Sequence, residues 1–87
     1  MTLYFFNILD TDQQQQIVLK KGVELGERRT PLYKVVLYQV DGFYVEVYYH
    51  FHFNVVHKIR SFTDTKSLAP YLKNISLVDL SWVVWNG

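Results

Sequence analysis

The sequence predicts an α+β fold with an N-terminal helix, an antiparallel β-meander of about four strands, and a short C-terminal helix or helices. Three observations predict this fold. Two runs rich in β-branched and aromatic residues flank Asp41-Gly42, and Asp-Gly between such runs is a strong hairpin signal. A capping-box pattern precedes these runs and predicts a helix there. After them, apolar residues recur at helical spacing.

The first helix is predicted over residues 11–21. Two capping boxes overlap at its start, Asp10 with Gln13 and Thr11 with Gln14. The two lysines in the last turn suit the helix dipole. Gly22 follows in the C′ position, where glycine commonly ends a helix.

A first strand is predicted to begin at Val23, with a break or bulge at Gly26. The central hairpin follows and pairs Val36 with Val47 across its turn. Alternation divides the second strand of the hairpin between two faces. The predicted core face carries Phe43, Val45, Val47, Tyr49 and Phe51, and the opposite face, termed the far face, carries Tyr44, Glu46, Tyr48 and His50.

A fourth strand is predicted from Val55 to Phe62, after a three-residue loop that ends at a left-handed Asn54. The register follows from chemical matching, because a slip of one residue would send Ile59 to the polar face. The predicted pairs are Phe51 with Val55, Val47 with Ile59, Glu46 with Arg60, and Tyr48 with Lys58.

The C-terminal part is predicted to contain a short helix over residues 67–73 that is capped by Ser67. Ser76 is predicted to cap a further turn. Residues 81–87, with two tryptophans, fit either a strand or a helix. The whole chain, 1–87, is expected to form a single domain, because its length leaves no room for two.

Composition limits the function classes. The formal net charge is +1, which gives no strong field toward nucleic acid or an anionic membrane. The chain has no cysteine, so disulfides, thiolate catalysis and cysteine-based zinc sites are excluded. No stretch approaches the roughly 20 apolar residues of a membrane span, and the N-terminus does not resemble a signal peptide. We therefore expect no membrane association and a cytoplasmic location.

Three histidines raise the question of a metal site. His50 and His52 are spaced so that a strand would place both on one face. However, the predicted register puts His52 in a loop and His57 on the face opposite His50, so three ligands would not converge. We predict no metal site and no cofactor.

The sequence carries no motif for catalysis. No serine lies in a nucleophile elbow, and the glycines are too dispersed for a phosphate-binding loop. The leading hypothesis is a non-enzymatic interaction module whose partner is another protein or a second copy. The alternative is nucleic-acid binding by an aromatic and basic sheet face. The candidate binding residues are Tyr44, Tyr48, His50, Lys58 and Arg60.

Val35 and Leu37 also fall on the far face, where a solvated stacking platform would rarely carry aliphatic side chains. We therefore expect the C-terminal segment or a second subunit to cover this face. On that view the nucleic-acid alternative is the weaker of the two.

Overall fold

The computed structural model describes residues 1–72. It confirms the α+β prediction, with a helical N-terminus, a four-stranded antiparallel sheet and a short helix after the last strand. Its elements are α1 (Leu3–Ile8), α2 (Thr11–Lys21), β1 (Val23–Arg29), β2 (Tyr33–Val40), β3 (Phe43–His50), β4 (Val56–Phe62), a 3₁₀ turn (Lys66–Leu68) and α3 (Ala69–Leu72). The predictions for residues 73–87 lie outside the described residues. Within residues 1–72, no helix has the length and hydropathy needed to cross a membrane.

Helix α2 has the predicted bounds, and Asp10 with Gln13 forms the capping box. The Asp10 carboxylate accepts from the Gln13 N–H at 2.8 Å, while the Gln13 side chain accepts from the Asp10 N–H at 3.1 Å. Gly22 ends the helix with an extended backbone, at φ −72°. A Cβ atom there would lie 2.5 Å from the Val18 carbonyl oxygen, so glycine is required for a close approach.

Helix α1 was not predicted, because six residues are too few to show a helical period. Its cap is Thr2, whose hydroxyl accepts from the Phe5 N–H at 3.2 Å. Phe6 is fully buried and packs against Phe43. Phe6 is therefore the main anchor of the helix, and Leu3 packs against the same core while remaining partly exposed.

The strands follow one another in the sheet in the order β1-β2-β3-β4, as a meander requires. The predicted hairpin register is confirmed, with Val36 opposite Val47. Asp41 in its turn is left-handed, at φ 49°. The irregularity predicted at Gly26 is present as a register shift between Glu24 and Gly26.

The β3–β4 register is confirmed in its middle and wrong at its loop end. Val47 pairs with Ile59, Glu46 with Arg60 and Tyr48 with Lys58, and Asn54 is left-handed at φ 53°. The next pair is Tyr49 with Val56, because a bulge inserts one residue into β4. The predicted ladder pair of Phe51 with Val55 is absent between β3 and β4, and the His50 N–H instead donates to the Val55 carbonyl at 2.8 Å.

Both faces of the sheet are covered. Helices α1 and α2 lie on the core face, where the buried cluster is Phe6, Val18, Val40, Phe43, Val45 and Val47. Of the predicted core residues, Tyr49 is only half-buried and Phe51 is exposed. On the far face, α3 contributes Tyr71 to a second cluster with Leu37 and Phe62. The meander is thus the middle of three layers.

Candidate functional site

The five predicted site residues lie on the neighbouring strands β3 and β4, but the middle of this group is closed. Tyr48 is 9% exposed, and Leu37, which pairs with Glu46 across β2 and β3, is 1% exposed. Tyr44 is half-buried and its ring lies 5.6 Å from that of Phe62. An open stacking platform is therefore not present over the centre of β3, which fits the expectation that this face is covered.

A buried carboxylate occupies the centre of the far face. Glu46 is 1% exposed and accepts hydrogen bonds from four side chains. Arg60 donates at 2.8 Å, the Tyr71 hydroxyl at 2.5 Å, Arg28 at 3.3 Å and the Tyr48 hydroxyl at 3.3 Å. Arg28 also donates to the Tyr48 hydroxyl at 3.0 Å, so β1, β3, β4 and α3 meet at one group.

The surroundings of Glu46 hold it ionised. Burial acts to raise its pKa, but hydrogen bonds from Tyr71 and Arg60 and the charge of Arg28 outweigh burial, and the pKa lies below its ordinary value. Burial, and then the hydrogen bond to Glu46, raise the pKa of Tyr71 well above its ordinary value. Burial, and then the charge of Glu46, raise the pKa of Tyr48 as well. The carboxylate stays charged and the phenols stay neutral.

This network leaves no group ready for catalysis. Among residues 1–72, no buried side-chain nitrogen or oxygen lacks a hydrogen-bond partner. A general base needs an oxygen that can reach a substrate proton, and the oxygens of Glu46 are occupied by arginine and tyrosine donors. The network joins elements of the fold and does not form a reaction centre.

Arg60 extends the network to the start of the C-terminal helix. Its guanidinium donates to the Ser67 hydroxyl at 3.1 Å. The prediction that Ser67 caps this helix is wrong, because the Asp64 carboxylate accepts from both the Ser67 N–H, at 3.0 Å, and its hydroxyl, at 2.9 Å. Hydrogen bonds from Ser67 lower the pKa of Asp64 accordingly.

Large apolar side chains are exposed on α1 and α2 and also at the end of the sheet where β2 begins and β3 ends. Four large apolar side chains there are 49–72% exposed. They are Leu32, Phe51, Phe53 and Val55, which together are termed the loop-end patch. Backbone hydrogen bonds bring their chain segments together at this end, since the Phe51 N–H donates to the Leu32 carbonyl at 2.9 Å and the His50 N–H donates to the Val55 carbonyl at 2.8 Å.

Rings continue this patch onto the far face. The centre of the His50 ring lies 4.8 Å from that of Phe53 and 6.1 Å from that of Tyr33. The centre of the His57 ring lies 5.0 Å from that of the same Tyr33. The prediction that His57 lies on the face opposite His50 is therefore wrong. The bulge in β4 re-aims this side chain, so both histidines contact the same tyrosine.

His50 and His57 share a tyrosine contact but do not form part of a metal centre in the part of the chain that the structure describes. No group of three or more histidine, aspartate or glutamate side chains among residues 1–72 could hold a metal ion.

Two cations lie over rings beside the patch. The Arg29 guanidinium is 5.6 Å from the centre of the Phe51 ring, and the Lys58 ammonium is 4.5 Å from the centre of the Tyr48 ring. Such cation–π contacts hold one side of the cation against an aromatic ring, while the other side of the cation stays in water. The exposed end of the sheet is thus apolar, aromatic and basic.

Comparison with protein-family models, with curated proteins and with solved structures finds no match. The features of the molecule that bear on function are the closed centre of the far face and the exposed apolar side chains at the end of the sheet.

Sequence reasoning identified the row on β3 and β4 but missed the loop-end patch. A signal was present, because Phe53 lies within the predicted loop and loops run over the protein surface. It also missed the partners Arg28 and Tyr71 of the buried carboxylate. Glu46 itself was the signal, since a charge in the middle of a covered face requires partners.

Proposed function

We propose that the protein is a non-enzymatic protein-interaction module that binds its partner through the loop-end patch. One observation carries the proposal, namely that four large apolar side chains remain exposed at one end of the sheet. Single exposed apolar residues are common, but several gathered at one place are typical of interaction surfaces. Phe53 is the centre of the proposed contact, because it is the most exposed of the four.

The composition of the patch favours a protein over a nucleic acid. Single-stranded nucleic-acid readers stack bases on open aromatic rings beside basic groups. Here Tyr48 is buried and Tyr44 packs on Phe62, while the exposed end includes the aliphatic Leu32 and Val55. Aliphatic side chains do not stack on bases, but they are ordinary contacts in the centre of a protein interface.

We also infer a cytoplasmic location for this activity. A chain without cysteine gains nothing from an oxidising compartment. A module of this kind would then meet its partner inside the cell.

Site-specific photo-crosslinking in cells that express the chain tests the proposal. A photoreactive phenylalanine replaces Phe53, and the matched control replaces Tyr4, an exposed aromatic residue on α1. We expect a protein adduct of defined mass from position 53 only, and its loss in a Phe51→Ser background. Equal adducts from both positions, or none from position 53, would overturn the proposal.

A titration with a single-stranded oligonucleotide tests the alternative. We expect no change in the chemical shifts of Tyr48 and Lys58 at low salt. Shifts that appear at low salt and vanish steeply as salt is raised would instead establish nucleic-acid binding.

A further inference from the structure

We infer that the partner of the loop-end patch is an acidic, apolar protein segment, one in which aspartate or glutamate alternates with large hydrophobic side chains. This inference rests on the proposed function and adds the chemistry of the partner. The apolar part follows from the patch itself. The acidic part follows from the charges around it.

The cations beside the patch are not neutralised within the described part of the chain. Among residues 1–72, the carboxylates near this end are already paired, Glu46 with Arg28 and Arg60, and Glu27 with Lys34 at 3.8 Å. None of the ion pairs there involves Arg29 or Lys58. Both residues are exposed and lie on opposite faces at the same end of the sheet.

The two cations flank the apolar surface. Arg29 lies over Phe51 on the core-face side, and Lys58 lies over Tyr48 on the far-face side. A partner that covers the patch must approach both. Carboxylates at the edges of its contact would meet these cations, and hydrophobic side chains between them would meet Phe53 and its neighbours.

The same charges argue against a second copy as the partner. In a two-fold symmetric dimer the same patch meets itself. The interface would then hold Arg29 and Lys58 of both copies, and this concentration of like charge opposes association. An acidic segment meets no such opposition.

Charge reversal tests the inference in the crosslinking assay. The variant carries Arg29→Glu with Lys58→Glu, and the control carries Lys20→Glu with Lys66→Glu, two exposed lysines outside the patch. We expect the Phe53 adduct to fall at least about tenfold in the first variant and to persist in the control. Matching thermal unfolding of the two variants would show that both are folded.

Synthetic peptides provide the second measurement, by fluorescence anisotropy with the full chain. One peptide alternates glutamate with leucine and phenylalanine, a second replaces glutamate with lysine, and a third replaces the apolar residues with serine. We expect the first to bind at least about tenfold more tightly than the others, with an affinity that falls as salt rises. The reversed variant should prefer the lysine peptide.

The outcomes separate the two proposals. A Phe53 adduct that survives charge reversal would overturn the acidic partner and leave the interaction module standing. Absence of any adduct from position 53 in the protein that keeps Arg29 and Lys58 would overturn the interaction module. Equal binding of the three peptides, or a reversed variant with the same preference as the original, would also overturn the acidic partner.

Discussion

Replacing Glu46 with glutamine tests whether the buried network holds the sheet to α3. The substitution keeps the size of the side chain and removes its charge. The glutamine oxygen can still accept, but its NH₂ group now faces the donors of Arg28, Arg60 or Tyr71. The guanidinium groups of Arg28 and Arg60 then lose the carboxylate with which both are paired.

The expected loss in the free energy of unfolding is about 3 kcal/mol. Removing one partner of a buried ion pair costs about 3–5 kcal/mol, because it leaves a charge without compensation. The lower end applies here, since the side chains of Arg60 and Arg28 are 45% and 23% exposed and recover part of their solvation from water. Tyr71→Phe removes one hydrogen bond to a charged group and should cost about 1.5–3 kcal/mol.

Urea unfolding of the two single variants and the double variant measures the network. We expect the double variant to lose less than the sum of the single losses, because Glu46→Gln removes the charge that strengthens the hydrogen bond from Tyr71 and Tyr71→Phe removes the same bond. Strict additivity would refute the reasoning, because it would mean that Glu46 and Tyr71 are not coupled. A Glu46→Gln variant as stable as the original would also refute it, because the carboxylate would then contribute nothing beyond filling space.

The pH dependence gives an independent check with a definite sign. The pKa of Glu46 is lowered on folding, so its carboxylate stabilises the fold fully above the unfolded value of about 4.3. That contribution is lost as the pH falls through the lower folded value. The original chain should therefore lose more stability than Glu46→Gln between pH 5 and strong acid, and parallel curves would contradict this.

Three further predictions concern the sheet. Val47→Ala should lower the free energy of unfolding by about 1–3 kcal/mol in a urea titration, because Val47 is buried on the core face. Amide hydrogen exchange should be slower in residues 35–38 and 45–48 than in 12–20, since β2 and β3 are paired on both sides; the reverse order would be inconsistent with a stable centre. Burial, and then the neighbouring Tyr49, raise the pKa of Tyr38 to about 12, so in an ultraviolet titration Tyr38 should ionise at a higher pH than ordinary tyrosines. Because the pKa values of Tyr48 and Tyr71 are raised as well, Tyr38→Phe should reduce the absorbance change at high pH without abolishing it.

The sequence was sufficient where a local rule fixes the geometry. Asp41-Gly42 and Asn54 set the two turns. The alternation of apolar and polar residues along β3 then fixed the partners of Val47, which are Val36 on β2 and Ile59 on β4. The bulge in β4 escaped prediction because one inserted residue changes a pairing without changing the composition of the strand. His57 was therefore assigned to the wrong face.

The site was predictable only in part, for a different reason. The row on β3 and β4 follows from neighbouring strands, whereas Arg28 and Tyr71 reach Glu46 from sequence separations of 18 and 25 residues. The period of a helix or strand does not predict contacts between residues so far apart in the sequence. The exposure of the loop-end patch depends in turn on where α1, α2 and α3 lie, which periodicity in the strands does not specify.

The nearest-neighbour order of the strands has a consequence for the speed of folding. Each strand pairs with the strand next to it in the chain, so hairpins can close over short loops and add one after another. Contacts between residues far apart in the sequence are expected to form later, such as the hydrogen bond from Ser61 to Asn7 across 54 residues. We therefore expect β2 and β3 to be formed in the transition state, and the docking of α1 onto β4 to follow it.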